Sequence, residues 1–193
     1  MGNEIEQKNN LILVGLMGSG KTTVGRLVAD RLGWRLIDTD RLIVERTGTP
    51  IPALFQEKGE TFFRRLEKEA LLELKDKERI VVATGGGIIL DAENRSLLKE
   101  TGLVIYLKTA PAVLATRVGR GEGRPLLMGR DPVLALTALL EAREAFYRQA
   151  DLVVVTDGRT PRQVAEEIIT QAEYWGIGRS GRPERIEGDE YGR

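Results

Sequence analysis

The residues with the clearest chemical purpose are Gly15-Leu16-Met17-Gly18-Ser19-Gly20-Lys21-Thr22-Thr23. They follow an apolar run, Leu11-Ile12-Leu13-Val14, and precede a segment with helical periodicity. Strand before and helix after turn the spacing G-x-x-x-x-G-K-[ST] into a phosphate site. Glycines at 15, 18 and 20 let the backbone take positive φ and approach a ligand closely. Successive N–H groups and the start of the helix then face an anion. Gly18, Ser19, Gly20, Lys21, Thr22 and Thr23 are therefore the expected nucleotide-phosphate cradle. Lys21 reaches β/γ-phosphates, and the Thr22 hydroxyl suits Mg²⁺. The competing reading, a plain glycine-rich turn, leaves Lys21 and Thr22 without a use.

Asp38-Thr39-Asp40 places two carboxylates after a second short apolar run. On an extended segment residues i and i+2 point the same way. One carboxylate can hold Mg²⁺ through water while the other meets an acceptor hydroxyl. The alternative is that Asp40 only caps the next helix and Asp38 is a polar strand end. The third strand ends in Thr84-Gly85, without an acid, which makes Asp38 the best acidic partner for a metal. Gly85-Gly86-Gly87 is more glycine than one turn requires, and a ligand pressed against the backbone explains it; a bulge is the alternative.

Two arginines sit on helical segments. Arg64 has Glu60 four residues before it, so a helix-surface ion pair is one reading. Arg143 has no acid three or four residues away. A pair of planar guanidinium groups suits bidentate capture of a carboxylate. Arg117, Arg120, Arg124 and Arg130 surround a Gly-rich stretch over about 119–131. That stretch is either a solvated basic loop or a mobile lid that excludes water and brings an arginine to the transferring phosphoryl group. The chain has no histidine, so proton abstraction falls to a carboxylate or another group. Phosphate donor, metal, hydroxyl acceptor and anionic acceptor tail together describe a small-molecule kinase acting on a hydroxy acid.

Alternating elements must position these groups. Leu11–Gly15, Arg35–Asp38, Ile80–Ala83, Leu103–Leu107 and Leu152–Val155 read as strands. Helical spacing covers Lys21–Leu32 (Val24, Leu27, Val28, Leu32), a short helix capped by Asp40, two pieces of Pro52–Lys75 interrupted near Gly59, Leu90–Lys99, Pro111–Val118 and Val133–Gln149 (Leu134, Leu136, Leu140, Phe146). Thr160-Pro161-Arg162-Gln163 fits a capping box that opens a last helix. Solid apolar strands alternating with helices imply α/β class: a parallel sheet covered on both faces, with ligands gathered beyond the carboxyl ends of the strands. From Gly176 onward Gly, Arg and acidic residues dominate, and 176–193 reads as a disordered charged tail.

Composition narrows the function. Lys plus Arg number 29 and Asp plus Glu 29, so no general pull toward nucleic acid or anionic membrane is expected. Cysteine is absent, which excludes disulfides and thiolate metal sites and suits a reducing cytosol. No apolar run approaches a membrane span, and Glu4 and Glu6 do not fit a secretory signal.

Over about residues 11–175 the chain resembles the shikimate kinase family. The resemblance rests on the Gly15–Thr23 loop, Leu36-Ile37-Asp38-Thr39-Asp40, Phe63-Arg64-Arg65-Leu66-Glu67, Gly85-Gly86-Gly87 and Arg124-Pro125-Leu126-Leu127. It implies one three-layer P-loop kinase domain over 1–175, with five parallel strands, helices on both faces and a lid. It implies transfer of the γ-phosphoryl of ATP to the 3-hydroxyl of shikimate, with Mg²⁺ as cofactor. The expected protein is a cytoplasmic monomer with no nucleic-acid or membrane partner. By the same resemblance Asp40 binds the acceptor hydroxyls and is the candidate base, while Arg64 and Arg143 hold the acceptor carboxylate. Gly86, flanked by Gly85 and Gly87, contacts the acceptor. Arg124 is the lid arginine on the phosphates, Arg117 and Arg159 border the adenine, and Thr22 and Asp38 (through water) serve the metal. Kinases of this fold for gluconate or a nucleoside monophosphate, and a module that binds both ligands without turnover, are the alternatives.

Overall fold

The solid apolar runs become the strands of one sheet. In the computed structural model, β1 (Leu11–Val14), β2 (Arg35–Asp38), β3 (Ile80–Ala83), β4 (Leu103–Lys108) and β5 (Leu152–Val155) are all parallel, in the order β2-β3-β1-β4-β5. The helices are α1 (Lys21–Leu32), α2 (Thr39–Thr47), α3 (Ile51–Leu74), α4 (Ala92–Thr101), α5 (Pro111–Val118), α6 (Pro132–Tyr147) and α7 (Pro161–Tyr174). The structure describes residues 9–119, 127 and 131–178. Arg120, Arg124 and Arg130 of the expected lid, and the tail beyond Gly178, lie outside the described residues.

Alternation along the strands divides the core into two layers. Leu11, Leu13, Val81, Ile105 and Val154 face α1 and α7 through Val24, Val28, Val164 and Ile168. Ile12, Val14, Val82 and Tyr106 face the other way, onto Leu71, Leu74, Leu98, Leu114 and Leu136. A third cluster, Ile43, Leu54, Phe63 and Ala70, joins α2 to α3. Both faces of the sheet are thus dry, which is why β1 and β3 carry no polar side chain. At the amino-terminal edge Asn10 ties three chain segments together. Its amide donates to the carbonyls of Lys77 (2.5 Å) and Thr101 (2.9 Å), and its oxygen accepts from the Ile80 N–H (3.1 Å).

Most expected boundaries match within two residues, and the differences have local causes. Gly59 has φ 78 and ψ 170 and kinks α3, as the sequence suggests. The helix expected from Leu90 is instead a 3₁₀ turn, Ile88–Leu90, followed by α4, because the Asp91 side chain accepts from the N–H groups of Glu93 and Asn94 and sets the start there. Asp40 does not cap α2. Asp38 does, accepting from Asp40 N and Arg41 N, so Asp40 already lies in the first turn and the two carboxylates are not on one extended segment. Leu27 and Leu134 are exposed, not core; the sheet-facing stripes are carried by Val24, Gly25, Val28 and Ala29 on α1 and by Ala135 and Leu136 on α6. The capping box at Thr160 forms with both of its hydrogen bonds.

Candidate active site

The carboxyl ends of β1, β2 and β3 are level. Ala83 is in register with Leu13 on one side and with Asp38 on the other. The loops leaving these strands therefore rise side by side and enclose a cavity of about 500 Å³. Lys21, Asp38, Asp40, Gly86, Arg117 and Arg159 all line it.

The glycine loop closes on itself at the floor of this cavity. The Lys21 ammonium donates to the carbonyls of Gly15 (2.8 Å) and Leu16 (2.9 Å) and to Ser19 Oγ (3.3 Å). Gly20, at φ 94, caps α1 and leaves the first N–H groups of the helix facing the cavity. Thr22 follows one residue into the helix, and its hydroxyl donates to Asp38 Oδ2 at 2.7 Å. A hydroxyl from α1 and a carboxylate from the end of β2 thus meet beside the phosphate loop.

The other wall is built from α2, α3 and the glycine run. Thr39, fully buried, accepts a hydrogen bond from Gly85 N–H at 3.0 Å and so fixes α2 against the run. Thr84 accepts no less constraint: its hydroxyl donates to Leu13 O at 2.9 Å. A side chain on Gly85 would collide with Asp40 Oδ1 (2.5 Å) and Glu67 Oε1 (2.8 Å), so both carboxylates converge on the space this glycine leaves open. Gly87 leaves room of the same kind for the Arg64 guanidinium, whose Nη2 and Cζ lie 2.6 and 2.8 Å from where a Cβ would stand.

Arg64 donates to Glu67 Oε2 through Nη1 (2.6 Å) and to Glu60 Oε1 through Nη2 (2.7 Å). Burial alone would lower the Arg64 pKa, but attraction to Glu67 and Glu60 raises it overall. Glu67 is completely buried. Desolvation pushes its carboxyl up to about 7, with Arg64 pulling down, Asp40 pushing up and Arg143 pulling down. From the opposite side α6 brings Arg143, which donates to the Gly86 carbonyl at 3.2 Å, and Tyr147, whose hydroxyl donates to the same carbonyl at 2.5 Å.

The sequence-derived site residues thus fall into two sets that meet at Asp40 and Gly86. Gly18 to Thr23, Asp38, Arg117 and Arg159 surround the cavity directly. Arg64, Gly85, Gly87 and Arg143 are not among its walls and stand behind Asp40 and Gly86. Arg117 donates to Gly18 O at 3.3 Å, while Arg159 pairs with Glu167 and donates to Val155 O at 3.1 Å.

Comparison with known proteins decides which phosphoryl-transfer enzyme this arrangement belongs to. The family model for shikimate kinase matches residues 17–173. The chain is 45% identical over 166 residues to the shikimate kinase of Moorella thermoacetica, covering 86% of this chain and 95% of the relative. The chain belongs to the shikimate kinase family. Another member, from Burkholderia thailandensis, is 47% identical over 169 residues, covering 87% of this chain and 92% of its own. The structure of the Acinetobacter baumannii shikimate kinase in complex with shikimate superposes with a TM-score of 0.84 at 40% identity, covering 88% of this chain and 95% of that one. The chain is accordingly an ATP-dependent enzyme that phosphorylates an alcohol.

Three residues that shape the shikimate kinase site were not legible as site residues in the sequence. Thr39 stands between the two aspartates, and nothing in the sequence signals its burial or its bond to Gly85. Glu67 stood three residues after Arg64, a spacing that signals a helix neighbour but not a buried partner. Tyr147 stands four residues after Arg143, and only the fold reveals its hydroxyl on Gly86.

Proposed function

We propose that the shikimate kinase reaction, transfer of the γ-phosphoryl of ATP to the 3-hydroxyl of shikimate to give shikimate 3-phosphate and ADP, proceeds here across the cavity between Lys21 and Asp40. The observation that carries this reading is that Lys21, Thr22, Asp40 and Gly86 line one cavity. Gly18 to Thr23 hold the triphosphate, and Lys21 swings from its carbonyl partners onto the phosphate oxygens. Arg117 and Arg159 flank the adenine. Arg124 neutralises charge on the transferring group. Asp40 orients the acceptor hydroxyl and accepts its proton as the new O–P bond forms. Arg64 and Arg143 clamp the acceptor carboxylate against Gly85–Gly87.

Magnesium fits the donors that are present. Among the described residues no group of three or more acidic side chains gathers as a dedicated cage. The oxygens of Thr22 and Asp38, 2.7 Å apart, suit an ion that prefers phosphate oxygens and retained water. Thr22 would bind it directly and Asp38 through water. When bound, it supplies charge neutralisation at the phosphate oxygens. Both substrate sets come from one chain, so a monomer suffices. The balanced net charge and lack of cysteine support a cytoplasmic enzyme working on free metabolites.

The test is incubation with ATP and, in turn, shikimate, gluconate and a nucleoside monophosphate, with ADP followed by a coupled assay and products identified by mass. Shikimate 3-phosphate as the dominant product supports the assignment. Turnover of another acceptor in preference, or binding of both ligands with no ADP formed, overturns it.

A further inference from the structure

Three consecutive glycines form a poor binding surface unless something holds them, because each has more backbone freedom to lose than any other residue. The structure shows how most of this run is held. Gly85 N–H donates to Thr39, the Gly85 carbonyl accepts from Ile88 N–H (3.3 Å), and the Gly87 carbonyl accepts from Leu90 N–H (3.0 Å). The Gly86 carbonyl, in the middle, takes part in none of these turns. It is held from outside, by α6, through Tyr147 and Arg143.

The two grips differ. Tyr147 is only 1% exposed, its hydroxyl contact is short, and its ring stacks on Tyr106 with centroids 4.9 Å apart and planes 11° from parallel. Tyr106 belongs to β4 and donates to Glu144 at 2.7 Å, so the stack anchors this part of α6 to the centre of the sheet. Arg143 makes the longer contact and has further N–H donors for a ligand. A carbonyl oxygen has two lone pairs, so both donors are accommodated, and when one turns to a ligand the other still satisfies the oxygen.

The peptide that carries this carbonyl links Gly86 to Gly87, and Gly87 is where the Arg64 guanidinium lies against the backbone. One peptide unit therefore separates the two arginines, and Tyr147 is what fixes its orientation. We propose that Tyr147 is a positioning residue for acceptor binding: its hydroxyl holds the Gly86–Gly87 peptide so that Arg64 and Arg143 stand at the spacing a carboxylate requires. This rests on the reading that those two arginines take the acceptor carboxylate.

Tyr147→Phe removes the hydroxyl and keeps the stack, so the fold is retained. The test measures KM and kcat with shikimate and with its carboxamide analogue, which keeps the ring and hydroxyls but lacks the charge. Tyr147→Phe is expected to raise KM for shikimate by about five- to tenfold, the scale of one hydrogen bond. KM for ATP should stay within about twofold, and the penalty should shrink to under about twofold on the carboxamide. An unchanged KM for shikimate, or an equal penalty on acid and carboxamide, overturns the proposal. Arg64→Ala and Arg143→Ala are assayed alongside. If they discriminate acid from carboxamide and Tyr147→Phe does not, Tyr147 alone loses its role. If neither arginine variant discriminates, the carboxylate clamp itself falls, and the role of Tyr147 with it.

Discussion

Arg64 and Glu67 stand one helical turn apart on α3, Nη1 to Oε2 2.6 Å, with the acid sealed from solvent and the base a fifth exposed. The pair is lopsided. Glu67 uses Oε2 for Arg64, while its buried Oε1 has no hydrogen-bond partner and points to the space shared with Asp40. A carboxylate in that position lacks the full set of hydrogen bonds that would offset its desolvation. Burial therefore pushes the Glu67 carboxyl up to about 7, so its charge changes near neutral pH.

This has a consequence for stability. The folded state holds the Glu67 proton up to about pH 7, whereas an unfolded glutamate releases it near 4.5. Between those values the folded state binds more protons, so stability falls as pH rises through the window and levels off above it. The full effect is on the order of 3 kcal/mol. Glu67→Gln, which keeps a neutral side chain at every pH, should flatten this slope. Urea denaturation of both proteins at pH 5 and pH 8 measures it; parallel slopes would show that Glu67 is ionised throughout.

Asp40 lies in the first turn of α2, lines the cavity, and is held there because Asp38 caps the helix and Thr39 is pinned to Gly85. Asp40→Asn keeps the shape and removes the proposed base. Turnover should drop by at least ~10²-fold, the scale of general-base loss, with ATP affinity unaltered. Single-turnover kinetics and nucleotide titration check this, and an unchanged kcat removes Asp40 from the mechanism.

What the sequence made legible follows from which forces act locally. The phosphate loop is a contiguous stretch whose glycines, lysine and threonine have one joint use, so its place between β1 and α1 could be read directly. Strand positions could be read because a sheet buried on both faces needs solid apolar runs. The role of Asp38 as cap in place of Asp40 was not legible, since either aspartate satisfies the preference and the length of β2 decides. Glu67 and Tyr147 were not legible either. Glu67 of α3 faces Asp40 of α2 across the space beside Gly85, and Tyr147 of α6 donates to Gly86; no local pattern encodes such meetings.

Arg64→Ala should act on acceptor binding and leave the nucleotide alone. Arg64 lies behind Gly87, away from the loop that holds Lys21, and loss of a charge-assisted hydrogen bond to a carboxylate costs about 1.5–3 kcal/mol. Affinity for shikimate should fall by roughly 10- to 150-fold. A calorimetric titration with shikimate unchanged from the parent enzyme would end the clamp assignment.

Gly87→Ala offers a sharper test, because it separates the site from the fold. Gly87 has φ −100, so alanine meets no backbone strain. The new methyl would stand 2.6 Å from Arg64 Nη2 and 2.8 Å from Cζ, the far end of a flexible side chain, so the guanidinium moves and the backbone does not. KM for shikimate should rise by about tenfold or more, since the displaced guanidinium no longer stands where the backbone now holds it. Gly102→Ala is the contrasting case. Its methyl would stand 2.6 Å from the Asn10 backbone oxygen, at the opposite end of the sheet, where nothing can give without shifting the start of β4. That variant should lose about 1–3 kcal/mol of stability and keep its KM for shikimate, because overpacking a rigid contact strains the fold without reaching the ligand. Urea melts and initial rates on the two variants decide the matter. If Gly87→Ala loses stability like Gly102→Ala and keeps its KM, then Gly87 is there for the chain's own packing and not to seat Arg64 for the acceptor.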